Sequence, residues 1–119
     1  MEELFTILNI EDNLENRLLI RRLLQSMGYQ VIEAESAAQA IDFVGIQQPD
    51  LILIDINMPD MDGIEALRKM KERDSTLPVI ICTAYEEYKH DFGSWCSDAY
   101  VVKSADMSQL RDTVKKILG

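Results

Sequence analysis

The chain is short of the residues that build sulfur-based and imidazole-based sites. Its 119 residues include two cysteines, Cys82 and Cys96, and one histidine, His90. Two cysteines do not make a disulfide framework, and with one histidine they do not furnish a structural zinc site. Cys82 lies inside an apolar run, where a thiol behaves as a small buried hydrophobe. Positive charge is also scarce: 12 lysines and arginines stand against 21 acids, a net charge of −9. A chain this acidic lacks the basic face that nucleic acid or an anionic membrane requires. No apolar stretch approaches the ~20 residues of a membrane span, and the acidic start Met1-Glu2-Glu3 is unlike a signal peptide. These absences point to a cytoplasmic protein with no direct nucleic-acid or membrane partner. A basic protein partner stays open.

What is present is a single domain's worth of core. Hydrophobic residues make up 47% of the chain, and no linker, repeat or low-complexity tract interrupts it. One domain over residues 1–119 is expected. Short apolar runs alternate with amphipathic stretches five times. Residues 4–10 read as the first strand. Asp12 or Asn13 then caps a helix in which Ile20, Leu23, Leu24 and Met27 fall at i, i+3, i+4, i+7, and Gly28 stops it. A second strand runs from Tyr29 to Ala34. Ser36 caps a helix marked by Ala37, Ala40, Ile41 and Val44, which Pro49-Asp50 breaks. Leu51-Ile52-Leu53-Ile54 is the third strand, and Ile64, Leu67 and Met70 mark the third helix. Pro78 opens the fourth strand. Tyr85 to Phe92 is a weaker fourth helix, interrupted by Gly93. Tyr100 to Val102 is the fifth strand, and Met107, Leu110, Val114 and Ile117 mark a closing helix.

Strands separated by helices imply parallel pairing through right-handed crossovers. Continuously apolar strands imply helices on both faces. The expected fold is α/β: a doubly wound five-stranded parallel sheet with five helices, in the flavodoxin-like order 2-1-3-4-5. In such a sheet ligands bind at the C-terminal edge of the strands. Four apolar runs end there on reactive groups: the first on Glu11-Asp12, the third on Asp55, the fourth on Thr83 and the fifth on Lys103. The order 2-1-3 brings Glu11, Asp12 and Asp55 together. At an effective dielectric of ~20, like charges 4 Å apart cost about 4 kcal/mol per pair. Lys103 alone does not compensate three acids. A hard divalent cation does, and Mg²⁺ (or Mn²⁺) prefers a few carboxylates plus water. A cation beside an accessible carboxylate suits phosphoryl transfer, with Asp55 as nucleophile, Lys103 spreading charge and Thr83 donating to a phosphoryl oxygen.

The pieces Glu11-Asp12-Asn13, Asp55-Ile56-Asn57-Met58-Pro59-Asp60-Met61-Asp62-Gly63, Thr83-Ala84 and Tyr100-Val101-Val102-Lys103 follow one another across the whole chain. In that order and spacing they resemble the receiver domain of two-component response regulators. The resemblance implies that Asp55 accepts a phosphoryl group from a histidine kinase or phosphotransfer protein. It implies that Glu11, Asp12, Asp55 and the backbone carbonyl of Asn57 hold Mg²⁺, and that Lys103 pairs with the phosphoryl group. Thr83 would move toward that group and Tyr100 would turn inward, changing the face of the fourth helix, fifth strand and fifth helix for a downstream protein. Such a domain is a switch rather than an enzyme, catalysing only its own phosphorylation and autodephosphorylation, and is a monomer or a weak phosphorylation-dependent dimer. Asn57 and Tyr85 are candidates for setting the lifetime of the phosphoryl group.

Two departures fall in the output half. Ser104 follows Lys103 where the family usually has proline. A cis bond before a non-proline residue costs ~3 kcal/mol, so a trans Lys103-Ser104 peptide with an altered loop path is expected over a strained cis one. Ser104, with Asp106, is also a candidate cap for the closing helix. Glycine stands at Gly93 rather than at the position of Cys96, and Trp95 replaces a small residue. His90 reads as a surface residue. Two rivals remain at this stage. An aspartate-nucleophile phosphatase would need an acid where Asn57 stands. A phosphorylation-independent pseudo-receiver would be expected to lack an acid or the lysine, and this chain keeps all of them.

Overall fold

Runs of branched aliphatic residues bounded by turn signals form the strands, and each amphipathic stretch packs its apolar stripe back onto them. In the structure, a computed structural model, residues 4–55, 63–83, 99–102 and 107–119 are described. The elements are β1 (Thr6–Ile10), α1 (Leu14–Ser26), β2 (Gln30–Ala34), α2 (Ala37–Gln47), β3 (Leu51–Ile54), α3 (Gly63–Arg73), β4 (Val79–Thr83), β5 (Ala99–Val102) and α4 (Ser108–Leu118). All neighbouring strands pair parallel, in the order β2-β1-β3-β4-β5. This is the expected order. The predicted helix over Tyr85 to Phe92 lies outside the described residues, as do Gly93, Trp95, Cys96 and His90.

Side chains alternate across a strand, so the sheet has two cores. Leu8, Ile10, Ile52, Ile54, Val79 and Ile81 join Ala40 and Val44 of α2 and Leu67 and Met70 of α3. Ile7, Leu51, Leu53, Ile80 and Val101 join Ile20 and Leu24 of α1 and Leu110 and Val114 of α4. All four residues of β3 are fully buried, as a central strand covered on both faces must be.

The helix ends follow local chemistry. Of the two candidate caps of α1, Asn13 is the one used: its side-chain oxygen accepts from the Asn16 N–H at 2.9 Å. Ser36 caps α2 in the same way, accepting from Gln39 at 3.2 Å. Gly28, at φ +93°, ends α1 in a left-handed conformation. Its N–H donates to Gln25 O and that of Tyr29 to Leu24 O, the two bonds that close a Schellman motif. At the end of α2 the left-handed position falls on Gln48, at φ 49°, where no glycine is available. α4 starts at Ser108 with Met107 at its N-cap. The candidate caps Ser104 and Asp106 lie outside the described residues.

Candidate divalent-cation and phosphoryl site

The site grows out of the central pairing of the sheet. Ile10 and Ile54 are cross-strand partners in β1 and β3. The hydrogen-bond ladder then continues one step beyond both strands. The Asp55 N–H donates to Ile10 O at 3.2 Å, and the Glu11 N–H donates to Ala34 O at 3.1 Å. These bonds set Glu11 and Asp55 side by side at the C-terminal edge. Asp12 follows, just before the Asn13 cap turns the chain into α1.

One carboxylate oxygen from each of Glu11, Asp12 and Asp55 lies within 4.8 Å of the others. Glu11 is 1% exposed, Asp55 is half-buried and Asp12 is open to solvent. Three hard, anionic oxygen donors converge from one edge and leave the outer side to water. That donor set fits a small hard divalent cation, which takes a few carboxylates and keeps several waters, and it does not suit a soft metal. The expectation that strand order would unite these three acids is met.

The other site residues divide between described and undescribed parts. Thr83 ends β4, the neighbour of β3, opposite Val102 of β5, and Tyr100 of β5, one strand further out, pairs with Ile81. Asn57, Tyr85, Lys103, Ser104 and the Lys103-Ser104 peptide lie outside the described residues. Beneath the acids, a crevice is lined by Asn9, Glu11, Asp55 and buried Cys82.

The sequence reading missed a polar arrangement behind the site. Arg17 of α1 donates from Nη1 to the carbonyl oxygen of Glu11 at 3.0 Å. Its Nε lies 3.3 Å from Glu33 of β2, and Arg21 donates to the same carboxylate at 2.7 Å. Asn9, 1% exposed inside β1, donates from Nδ2 to the Arg17 carbonyl at 3.4 Å. A signal existed: Asn9 interrupts an otherwise apolar strand, Glu33 interrupts the next, and Arg17 and Arg21 stand four apart on the intervening helix. A buried polar residue in a strand implies a partner across the packing interface.

Comparison with known proteins fixes the class. The response regulator receiver domain family matches residues 7–115, and the chain belongs to that family. It is a receiver domain of a two-component system, with phosphoacceptor function rather than turnover of an external substrate. Among its relatives, sporulation initiation phosphotransferase F of Bacillus subtilis is 38% identical over 117 residues, covering 94% of this chain and 92% of that protein. The response regulator TrrA of Thermotoga maritima in complex with Mg²⁺-BeF has a TM-score of 0.88 at 35% identity, covering 97% of this chain and 100% of that one. The complex of the histidine kinase ThkA with TrrA gives 0.89 at 34%, covering 98% and 100%.

Proposed function

We propose that Asp55 is the phosphoacceptor and that Glu11 and Asp12, with Asp55 and the carbonyl of Asn57, hold Mg²⁺. The observation that carries this is the convergence of the three carboxylates within 4.8 Å at the C-terminal edge of the sheet. The likeness to a regulator in complex with Mg²⁺-BeF, and to one in complex with its histidine kinase, supports it. A carboxylate oxygen of Asp55 attacks the phosphorus of a phosphohistidine on a kinase or phosphotransfer protein. The O–P bond forms as the P–N bond breaks, and the imidazole leaves with a proton. Bound Mg²⁺ would supply charge neutralisation of the phosphoryl oxygens. Half-burial of Asp55 leaves it reachable by a partner's side chain while its neighbours limit bulk water. Lys103 pairs with the transferred group and Thr83 donates to it. Tyr100 reports the change on the β5 side to a downstream protein. Water attack on the acyl phosphate returns the domain to its resting state, and Asn57 and Tyr85 set the rate.

The domain spans residues 1–119 and works in the cytoplasm. Among the described residues no helix is long and apolar enough to cross a membrane. The test is mass spectrometry after incubation with acetyl phosphate or phosphoramidate and Mg²⁺. A gain of one phosphoryl group, lost in Asp55→Asn and in the absence of divalent cation, is expected. Mn²⁺ should replace Mg²⁺ in the same assay. No gain in the folded wild-type protein would overturn the proposal.

A further inference from the structure

Arg17 touches the cation site from behind. The Glu11 N–H belongs to the peptide before Glu11, and Ala34 O holds it at 3.1 Å. The Glu11 carbonyl belongs to the peptide after it, and Arg17 Nη1 holds that oxygen at 3.0 Å. Both peptide planes around the Glu11 α-carbon are therefore tethered, which fixes the direction of its side chain and the departure of the chain toward Asp12. Arg17 is itself held at several points. Its side chain is only 12% exposed, and Glu33 and Glu35 lie 3.3 and 3.8 Å from its Nε and Nη2. Its own carbonyl accepts from buried Asn9 at 3.4 Å. A guanidinium presents its donors in a rigid planar fork, so one side chain can fix two partners at once.

Three converging carboxylates repel one another before a cation arrives, and that repulsion tends to open the turn at Glu11-Asp12. We propose that Arg17 is a positioning residue that keeps this turn closed, so that the carboxylates are preorganised for Mg²⁺. The inference rests on the reading of Glu11, Asp12 and Asp55 as cation ligands. It gives Arg17 a role distinct from Arg21, which meets the same Glu33 without reaching Glu11. Removing a group that orients a metal ligand typically costs about tenfold or more in metal affinity.

Mg²⁺ titration calorimetry on the wild-type protein, Arg17→Ala and Arg21→Ala tests this, with circular dichroism to verify folding. Arg17→Ala should raise the Mg²⁺ Kd about tenfold, and Arg21→Ala should leave it near the wild-type value. Phosphorylation by acetyl phosphate should need more Mg²⁺ for half-saturation in Arg17→Ala but reach the wild-type rate at saturation. Unchanged Mg²⁺ affinity in folded Arg17→Ala, or an equal loss in Arg21→Ala, would overturn the inference. Where Arg17→Ala does not fold, Arg17→Lys carries the test. It keeps the charge toward Glu33 but loses the fork, so a Kd raised several-fold supports the inference and a wild-type Kd overturns it. A wild-type protein that bound no Mg²⁺ would sink the reading of the site itself, a separate outcome.

Discussion

On the face covered by α2 and α3, the buried residues among those described are apolar, from Leu8 and Ile10 of β1 to Leu67 and Met70 of α3. On the face covered by α1 and α4 the same strands begin apolar, with Ile7, Leu51 and Ile80. Toward the C-terminal edge, however, β1 turns polar on that side: Asn9 and Glu11 are each 1% exposed. Arg17 and Glu33 continue the polar patch into α1 and β2. The first face stabilises, since each buried aliphatic side chain contributes about 1.5–3 kcal/mol. The second accepts buried polar groups, which are costly unless hydrogen-bonded, and in return places carboxylates with defined geometry. Apolar packing thus stabilises both faces, and the buried polar groups that place the carboxylates gather at the C-terminal edge of one of them.

Substitutions on the two faces should therefore fail differently. The largest effect is expected at Asp55: Asp55→Asn should abolish the phosphoryl mass gain completely while the protein still unfolds as a cooperative unit. A variant that kept the gain would place the acceptor elsewhere. Leu67→Ala, on the apolar face, should cost about 2–5 kcal/mol in urea denaturation and leave Mg²⁺ affinity of the folded protein unchanged. Weaker cation binding in Leu67→Ala would break that contrast. Asp12→Asn should move the two quantities in opposite directions. It weakens Mg²⁺ binding by removing a ligand. Without Mg²⁺ it raises stability by roughly 0.5–1 kcal/mol, because relief of like-charge repulsion at an exposed carboxylate is largely screened. A thermal melt with and without Mg²⁺ reads both. The smallest effect is at Gln48, far from the site. Gln48→Gly relieves a left-handed backbone at φ 49° and should add about 0.5 kcal/mol without touching phosphorylation.

Much of this was legible in the sequence because it is local. Ile20, Leu23, Leu24 and Met27 state their helical face by spacing alone, and Leu51–Ile54 states a strand buried on both sides. Gly28 and Ser36 occupy the ends that their backbone and side-chain chemistry favour. The closing helix is legible in position from the spacing of Met107, Leu110, Val114 and Ile117, the stripe that packs onto the sheet.

The acids were legible as a set and not as individuals. Periodicity put Glu11-Asp12 and Asp55 at strand ends, and the parallel strand order implied by alternating elements put those ends together. Whether Asp12 or Asn13 would cap α1 was open, because both suit that role. The tertiary structure assigned the cap to Asn13 and left Asp12 turned to the cluster. Asn9 and Glu33 stand out in the sequence as polar breaks in their strands, but their union with Arg17 is made only where α1 packs on β1 and β2. Local sequence determines which residues share a face of one element, for that depends only on the repeat of the backbone. Which atoms of different elements meet within hydrogen-bonding distance depends on strand register and helix packing, and those are properties of the whole sheet.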